Sequence, residues 1–189
     1  MNTFRRLALV GVGILVTAGG TLSAGSVATA APLTTVSCTV GAETQTYSPG
    51  LTRTPAVQQS TTTSSYSPCL GVGASQTGGS ARIDSSKPTQ KPISCLSLLQ
   101  TATGEYTIRW ANGKTSTWQW DLMVNQASSG FTRIQSGKIT SGLFAGSTAT
   151  RVSTGTGNDL NQITGCLTGG APVTSATYAS TLLVSPSLL

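Results

Sequence analysis

The sequence predicts an all-β fold, an antiparallel β-sandwich of immunoglobulin-like general architecture held by two disulfides. Three observations predict it. Ser and Thr make up about a third of residues 31–189, and Thr, like Val, favours extended chain. Turn residues punctuate the chain every ten residues or so, roughly the spacing of a sandwich or barrel. Four cysteines, Cys38, Cys69, Cys95 and Cys166, form an even set, as in an exported chain stapled by two bridges.

The 189-residue chain opens with an address. Arg5 and Arg6 precede an apolar run from Leu7 to Val16, and a stretch of small residues ends at Ala28-Thr29-Ala30-Ala31. This is the order of a secretory signal with an Ala-x-Ala cleavage site, and the cut is placed after Ala30. The apolar run is well short of the ~20 residues a spanning helix needs. Residues 1–30 are therefore read as a signal peptide. Residues 31–189 are read as a single β-rich domain, secreted and extracellular or surface-associated, with no membrane span once the signal is removed.

Strands are expected at Thr34–Val40 and Thr44–Tyr47, followed by a Ser/Thr tract at Ser60–Ser67 that reads equally as a polar edge strand or a stalk. Gly71, Gly73, Gly78, Gly79, Pro88 and Pro92 make residues 71–92 a mobile loop. A further strand is expected at Ile93–Gln100. The best local signal is a hairpin over Glu105–Val124. Tyr106, Ile108 and Trp110 alternate with polar residues, Asn112-Gly113 supplies a tight turn, and Trp118, Trp120, Leu122 and Val124 alternate on the return. Phe131–Ile134, Lys138–Leu143, Thr148–Ser153 and Ala176–Val184 complete the set. Gly155 to Asn161 reads as a turn, and no helix is expected. Four cysteines allow three connectivities. Cys38–Cys69 with Cys95–Cys166 is the expected one, because it ties each half of the chain to itself.

Composition narrows the chemistry. Eleven Lys and Arg stand against five Asp and Glu, a formal charge of +6, and there is no His. The bases are scattered, so no nucleic-acid partner is expected. Without His, every Ser-His or Cys-His nucleophile is excluded. No close Cys spacing marks a metal site, and no metal or cofactor is expected. Glu105 and Asp121 are the one carboxylate pair that a hydrolase would use, and they read more simply as solvated charges on the outer face of the hairpin. The reading is thus not an enzyme.

Trp110, Trp118 and Trp120 fall within eleven residues on one face of the expected hairpin. Core packing is one role for them. The other is an aromatic surface that stacks on sugar rings, and these three are the candidate ligand-binding residues.

Several stretches carry a resemblance: Thr46-Tyr47-Ser48-Pro49-Gly50-Leu51-Thr52, Trp110 to Ser116, Gly137 to Gly146, and Cys166-Leu167. With the signal peptide and Cys69, they make the chain resemble small secreted, disulfide-containing, β-rich actinobacterial proteins of uncharacterised function. The resemblance implies export and disulfides. The expected function is a non-catalytic binding or surface-associated protein, with a polysaccharide or cell-envelope polymer as partner. The alternative is a protein-binding module or inhibitor that uses the segment between Cys69 and Cys95.

Overall fold

Eight strands of this chain alternate inward and outward residues so regularly that they close on themselves. The computed structural model describes residues 35–186, and the expected signal peptide lies outside them. The strands are β1 (Val36–Cys38), β2 (Gly41–Leu51), β3 (Gln59–Tyr66), β4 (Cys69–Leu70), β5 (Ala81–Pro88), β6 (Ala102–Trp110), β7 (Thr115–Ala127), β8 (Gly130–Gly142), β9 (Thr148–Thr156) and β10 (Val173–Ser185). Among the described residues one α-helix, α1 (Gly157–Leu167), joins β9 to β10. All pairings are antiparallel, in the order β2-β3-β5-β6-β7-β8-β9-β10, and β10 pairs back onto β2. The fold is all-β with two disulfides, as expected. It is a closed eight-stranded barrel and not a two-sheet sandwich. Closure pairs every wall strand on both sides over at least part of its length, whereas a sandwich of the same strands would leave four edges. Short β1 and β4 extend the sheet outside it, on β10.

Within the wall, the odd residues of β2, β5 and β9 and the even residues of β3, β6, β7 and β10 point inward. Three cross-strand pairs set a glycine opposite an aromatic ring: Gly41 and Tyr66, Gly104 and Trp120, Gly155 and Phe131. A Cβ at any of the three would fall within 2.6 Å of the facing ring. The missing side chains make room for rings that lie flat along the inner wall. Gly137 serves a different need. A Cβ there would stand 2.0 Å from the Gln119 carbonyl oxygen, so only glycine lets β7 and β8 approach here, next to the point between Ile139 and Ser141 where their register slips by one residue.

Two apolar clusters plug the two ends. At one end Val36, Ala81, Ile83, Ile108, Trp110, Ile139, Leu182 and Val184 pack around the Cys38–Cys69 bridge. At the other Leu51, Leu98, Phe131, Ile163, Val173 and Tyr178 pack around Cys95–Cys166. The disulfides are those the sequence favours, and each staples one end.

Several expected elements differ. Residues 81–88, assigned to a mobile loop by their glycine- and proline-rich surroundings, form the wall strand β5. Ser60–Ser67 is neither stalk nor edge, because β3 lies between β2 and β5. Cys95–Leu99 is a 3-10 helix in place of a strand. The turn expected near Gly155 starts α1. Thr156 caps it by accepting from the Asp159 amide, and the Asp159 carboxylate accepts in return from the Thr156 N–H at 2.7 Å. In the Glu105–Val124 hairpin the inward residues are the expected ones, but the loop runs over four residues, with Gly113 at φ +84° and no positive φ at Asn112.

Candidate functional site

Between the two apolar plugs lies a polar layer. From β2 come Glu43 and Gln45, from β3 Thr62 and Ser64, from β8 Arg133 and Gln135, from β9 Arg151 and Ser153, and from β10 Ser180, all buried. Glu43 is the hub. It accepts from Gln45 Nε2 at 2.7 Å and from the Ser153 hydroxyl. Arg151 Nη2 stands 3.4 Å from it and Arg133 Nη1 3.8 Å. Arg151 donates through Nη1 to Ser64 Oγ at 3.0 Å and through Nε to Gln135 Oε1 at 2.7 Å.

The opposite wall is aromatic. Tyr106 stacks on Trp120, with centroids 5.1 Å apart and planes 28° apart, and Trp118 lies beside both. The Arg151 guanidinium carbon sits 5.0 Å from the Tyr106 centroid and 6.0 Å from that of Trp118, while Arg133 lies 5.2 Å from that of Tyr178. These cations therefore face ring π-clouds as well as the carboxylate.

Burial opposes the charge of both arginines. Glu43 outweighs it at Arg151, and Tyr178 with Glu43 outweighs it at Arg133, so both are held above the ordinary arginine value. Burial likewise pushes the Tyr47 and Tyr178 phenols upward, with Arg133 opposing in each case. The unfolded chain releases these phenolic protons from the ordinary value of 10.0, whereas the folded chain holds them. Stability is accordingly expected to be intact below about pH 10 and to fall above it, by about 1.4 kcal/mol per pH unit for Tyr47, with Tyr178 acting in the same direction. Absorbance titration of the four tyrosines checks this. Tyr47 and Tyr178 should ionise only as the protein unfolds.

The barrel wall is not uniformly sealed. β5 and β6 pair only at Ala81–Trp110, Arg82–Arg109 and Ile83–Ile108. Beyond Ile83, β5 follows β3 alone and β6 follows β7 alone. The two strands part there. Tyr106 and Trp120, both half-buried, are the aromatic side chains on the β6–β7 side of the gap. The 3-10 helix at Cys95–Leu99 lies on the segment that connects the parted strands. Gly104 lets Trp120 lie against the wall, since a Cβ there would stand 2.5 Å from its ring. Gly104→Ala is expected to push Trp120 off Tyr106 toward solvent, raising its quenching by acrylamide.

The sequence-derived candidates separate accordingly. Trp110 is buried in the apolar plug and donates from Nε1 to Ser116 Oγ at 2.8 Å. Trp118 is fully buried. Only Trp120 is partly accessible, so the three do not form an exposed aromatic surface. Glu105 and Asp121 are both exposed on the outer face, with Glu105 opposite Gln119 and Asp121 opposite Thr103. Glu43, Arg133 and Arg151 were not singled out by the sequence reading. Their one signal is spacing: Glu43-x-Gln45-x-Tyr47, Arg133-x-Gln135 and Arg151-x-Ser153 repeat at two, the inward period of a strand.

Outside the barrel, an open groove of about 700 Å³ runs past Val40, Ser65, Arg82, Arg109 and Trp110. Arg82 in it is already engaged, 2.5 Å from Asp84. Among the described residues no group of His, Cys, Asp and Glu is placed to hold a metal ion, and no helix is long and apolar enough to cross a membrane. No family model matches this chain, and neither a curated protein nor a solved structure matches it.

Proposed function

We propose that the chain is an exported, non-catalytic binding protein that takes a small, flat-ringed ligand at the gap between β5 and β6. The observation that carries this reading is the Tyr106–Trp120 stack, half-buried where the wall strands part. A stacked pair at a break in a barrel wall offers a ring face to a third ring or to the apolar face of a sugar. Export is supported by the signal-like residues 1–30 and by the two disulfides. The burial of Trp110 and Trp118 moves the reading from an extended polymer surface to a small ligand. A hydrolase reading has little support, since Glu105 and Asp121 face solvent on a convex wall.

The test uses oxidised protein and 2-naphthol, an uncharged flat ring, by calorimetry, with cellulose and chitin depletion in parallel. Binding of 2-naphthol that Trp120→Ala removes, in a variant with unchanged circular dichroism, supports the proposal. Depletion by a polymer with no 2-naphthol binding would return the aromatic pair to a polysaccharide contact. Neither result would leave an interaction with another protein as the leading reading, through what remains as loop between β4 and β5.

A further inference from the structure

The inner layer has donors in surplus and acceptors in deficit. Six buried polar atoms lack a hydrogen-bond partner: Nε and Nη1 of Arg133, Nε2 of Gln135, Nε1 of Trp118 and Trp120, and the Tyr178 hydroxyl. The five nitrogens are N–H donors, and the one phenol, which can donate or accept, does not balance them. The Gln135 amide cannot be turned to relieve this, because its Oε1 accepts from Arg151, and turning it would aim its N–H groups at a guanidinium. The charges point the same way. Among the described residues the buried charges are Glu43, Arg133 and Arg151, one acid against two bases. Arg151 is served by Glu43, Gln135 and Ser64. Arg133, with 8% of its side chain accessible, reaches Glu43 only at 3.8 Å. A buried cation without a close anion, beside buried donors without acceptors, is unfavourable, and one anionic acceptor would relieve both.

We propose that the barrel interior binds an organic carboxylate borne on a flat ring. The carboxylate meets Arg133 and the Gln135 amide, and the ring lies against Tyr106 and Trp120. Arg133 and Gln135 stand two residues apart on the inward face of β8, roughly 7 Å along the strand, a spacing that one carboxylate can bridge. Trp120 lies two positions further along β7 from Leu122, the ladder partner of Gln135, and stacks on Tyr106. The guanidinium fork suits a planar carboxylate in a way that a point charge does not. This inference rests on the ring-binding reading above and adds the charge of the ligand.

The experiment compares 2-naphthoate with 2-naphthol on the whole oxidised domain at neutral pH, by calorimetry. The expected result is tighter binding of 2-naphthoate by about tenfold or more, with the ratio falling toward one in Arg133→Lys, which keeps the charge and removes the fork. If that variant does not fold, the wild-type ratio decides by itself. Equal affinities for the two compounds would overturn the carboxylate inference and leave the ring-binding reading standing. Binding of neither would overturn both and assign the five donors to buried water.

Discussion

Glu43→Gln is expected to cost about 3–5 kcal/mol of folding stability. The substitution keeps the size of the side chain and leaves Arg133 and Arg151 buried with no anion between them. Arg151 retains Gln135 and Ser64 as acceptors, so the loss is of charge balance more than of hydrogen bonds. Urea unfolding of the oxidised protein measures it. The partner variant Glu43→Gln/Arg133→Met should recover part of the loss, because it removes one of the stranded cations. The two substitutions are therefore expected to be non-additive. A loss of under about 1 kcal/mol in Glu43→Gln would mean that the layer is hydrated enough to screen its own charges.

Removing the Cys95–Cys166 bridge is the second large expected effect. The half-cystines are 71 residues apart, against 31 for Cys38–Cys69. Restriction of the unfolded chain alone is worth about 4.4 kcal/mol for the longer loop and about 3.7 kcal/mol for the shorter. Structure widens the difference. Cys38 and Cys69 are direct partners across the β1–β4 ladder, whose pairing persists without the bond. Cys95 and Cys166 join a 3-10 helix to α1, two elements outside the strand ladders. Besides the bridge, backbone bonds from Ile93 to Ala56 and from Cys95 to Thr52 hold the 3-10 segment. Cys95→Ala/Cys166→Ala should therefore lower stability more than Cys38→Ala/Cys69→Ala. Denaturant melts of the two variants that gave the reverse order would contradict this assignment of roles.

How far the fold was legible depended on what each strand points inward. β6, β7, the start of β8 and β10 send in Ile108, Trp110, Trp118, Leu122, Phe131, Leu182 and Val184. Their apolar alternation is visible in the sequence, although Phe131–Ile134 and Lys138–Leu143, expected as two strands, are one continuous β8. β2, β3 and β5 send in Glu43, Gln45, Thr62, Ser64 and Ser85. Polar residues on both faces of β2 and β3 leave little alternation to see, and in β5 the two apolar inward residues, Ala81 and Ile83, are too short a run to stand out among the glycines and prolines around them. Barrel closure is a pairing of β2 with β10 across most of the chain, and no local pattern encodes it. Helix α1 did carry its signals, in the Thr156 and Asp159 capping pair and in Leu160, Ile163 and Leu167 at helical spacing. Gly157 and Gly165 masked them. The candidate site shows the same divide. Trp120 was identified from the hairpin, while Arg133 and Arg151 read as two more scattered charges.

The central claim, a donor-rich interior reached between β5 and β6, is tested most directly by the three indole N–H resonances of Trp110, Trp118 and Trp120 during titration with 2-naphthoate. Trp110 is already bonded to Ser116 and serves as the internal reference. The Trp120 signal, and that of Trp118 beside it, are expected to move in a saturable way as the ligand's ring stacks on Trp120, while Trp110 stays. Movement of Trp110 alone, or no movement of Trp118 and Trp120 at saturating ligand, would contradict it.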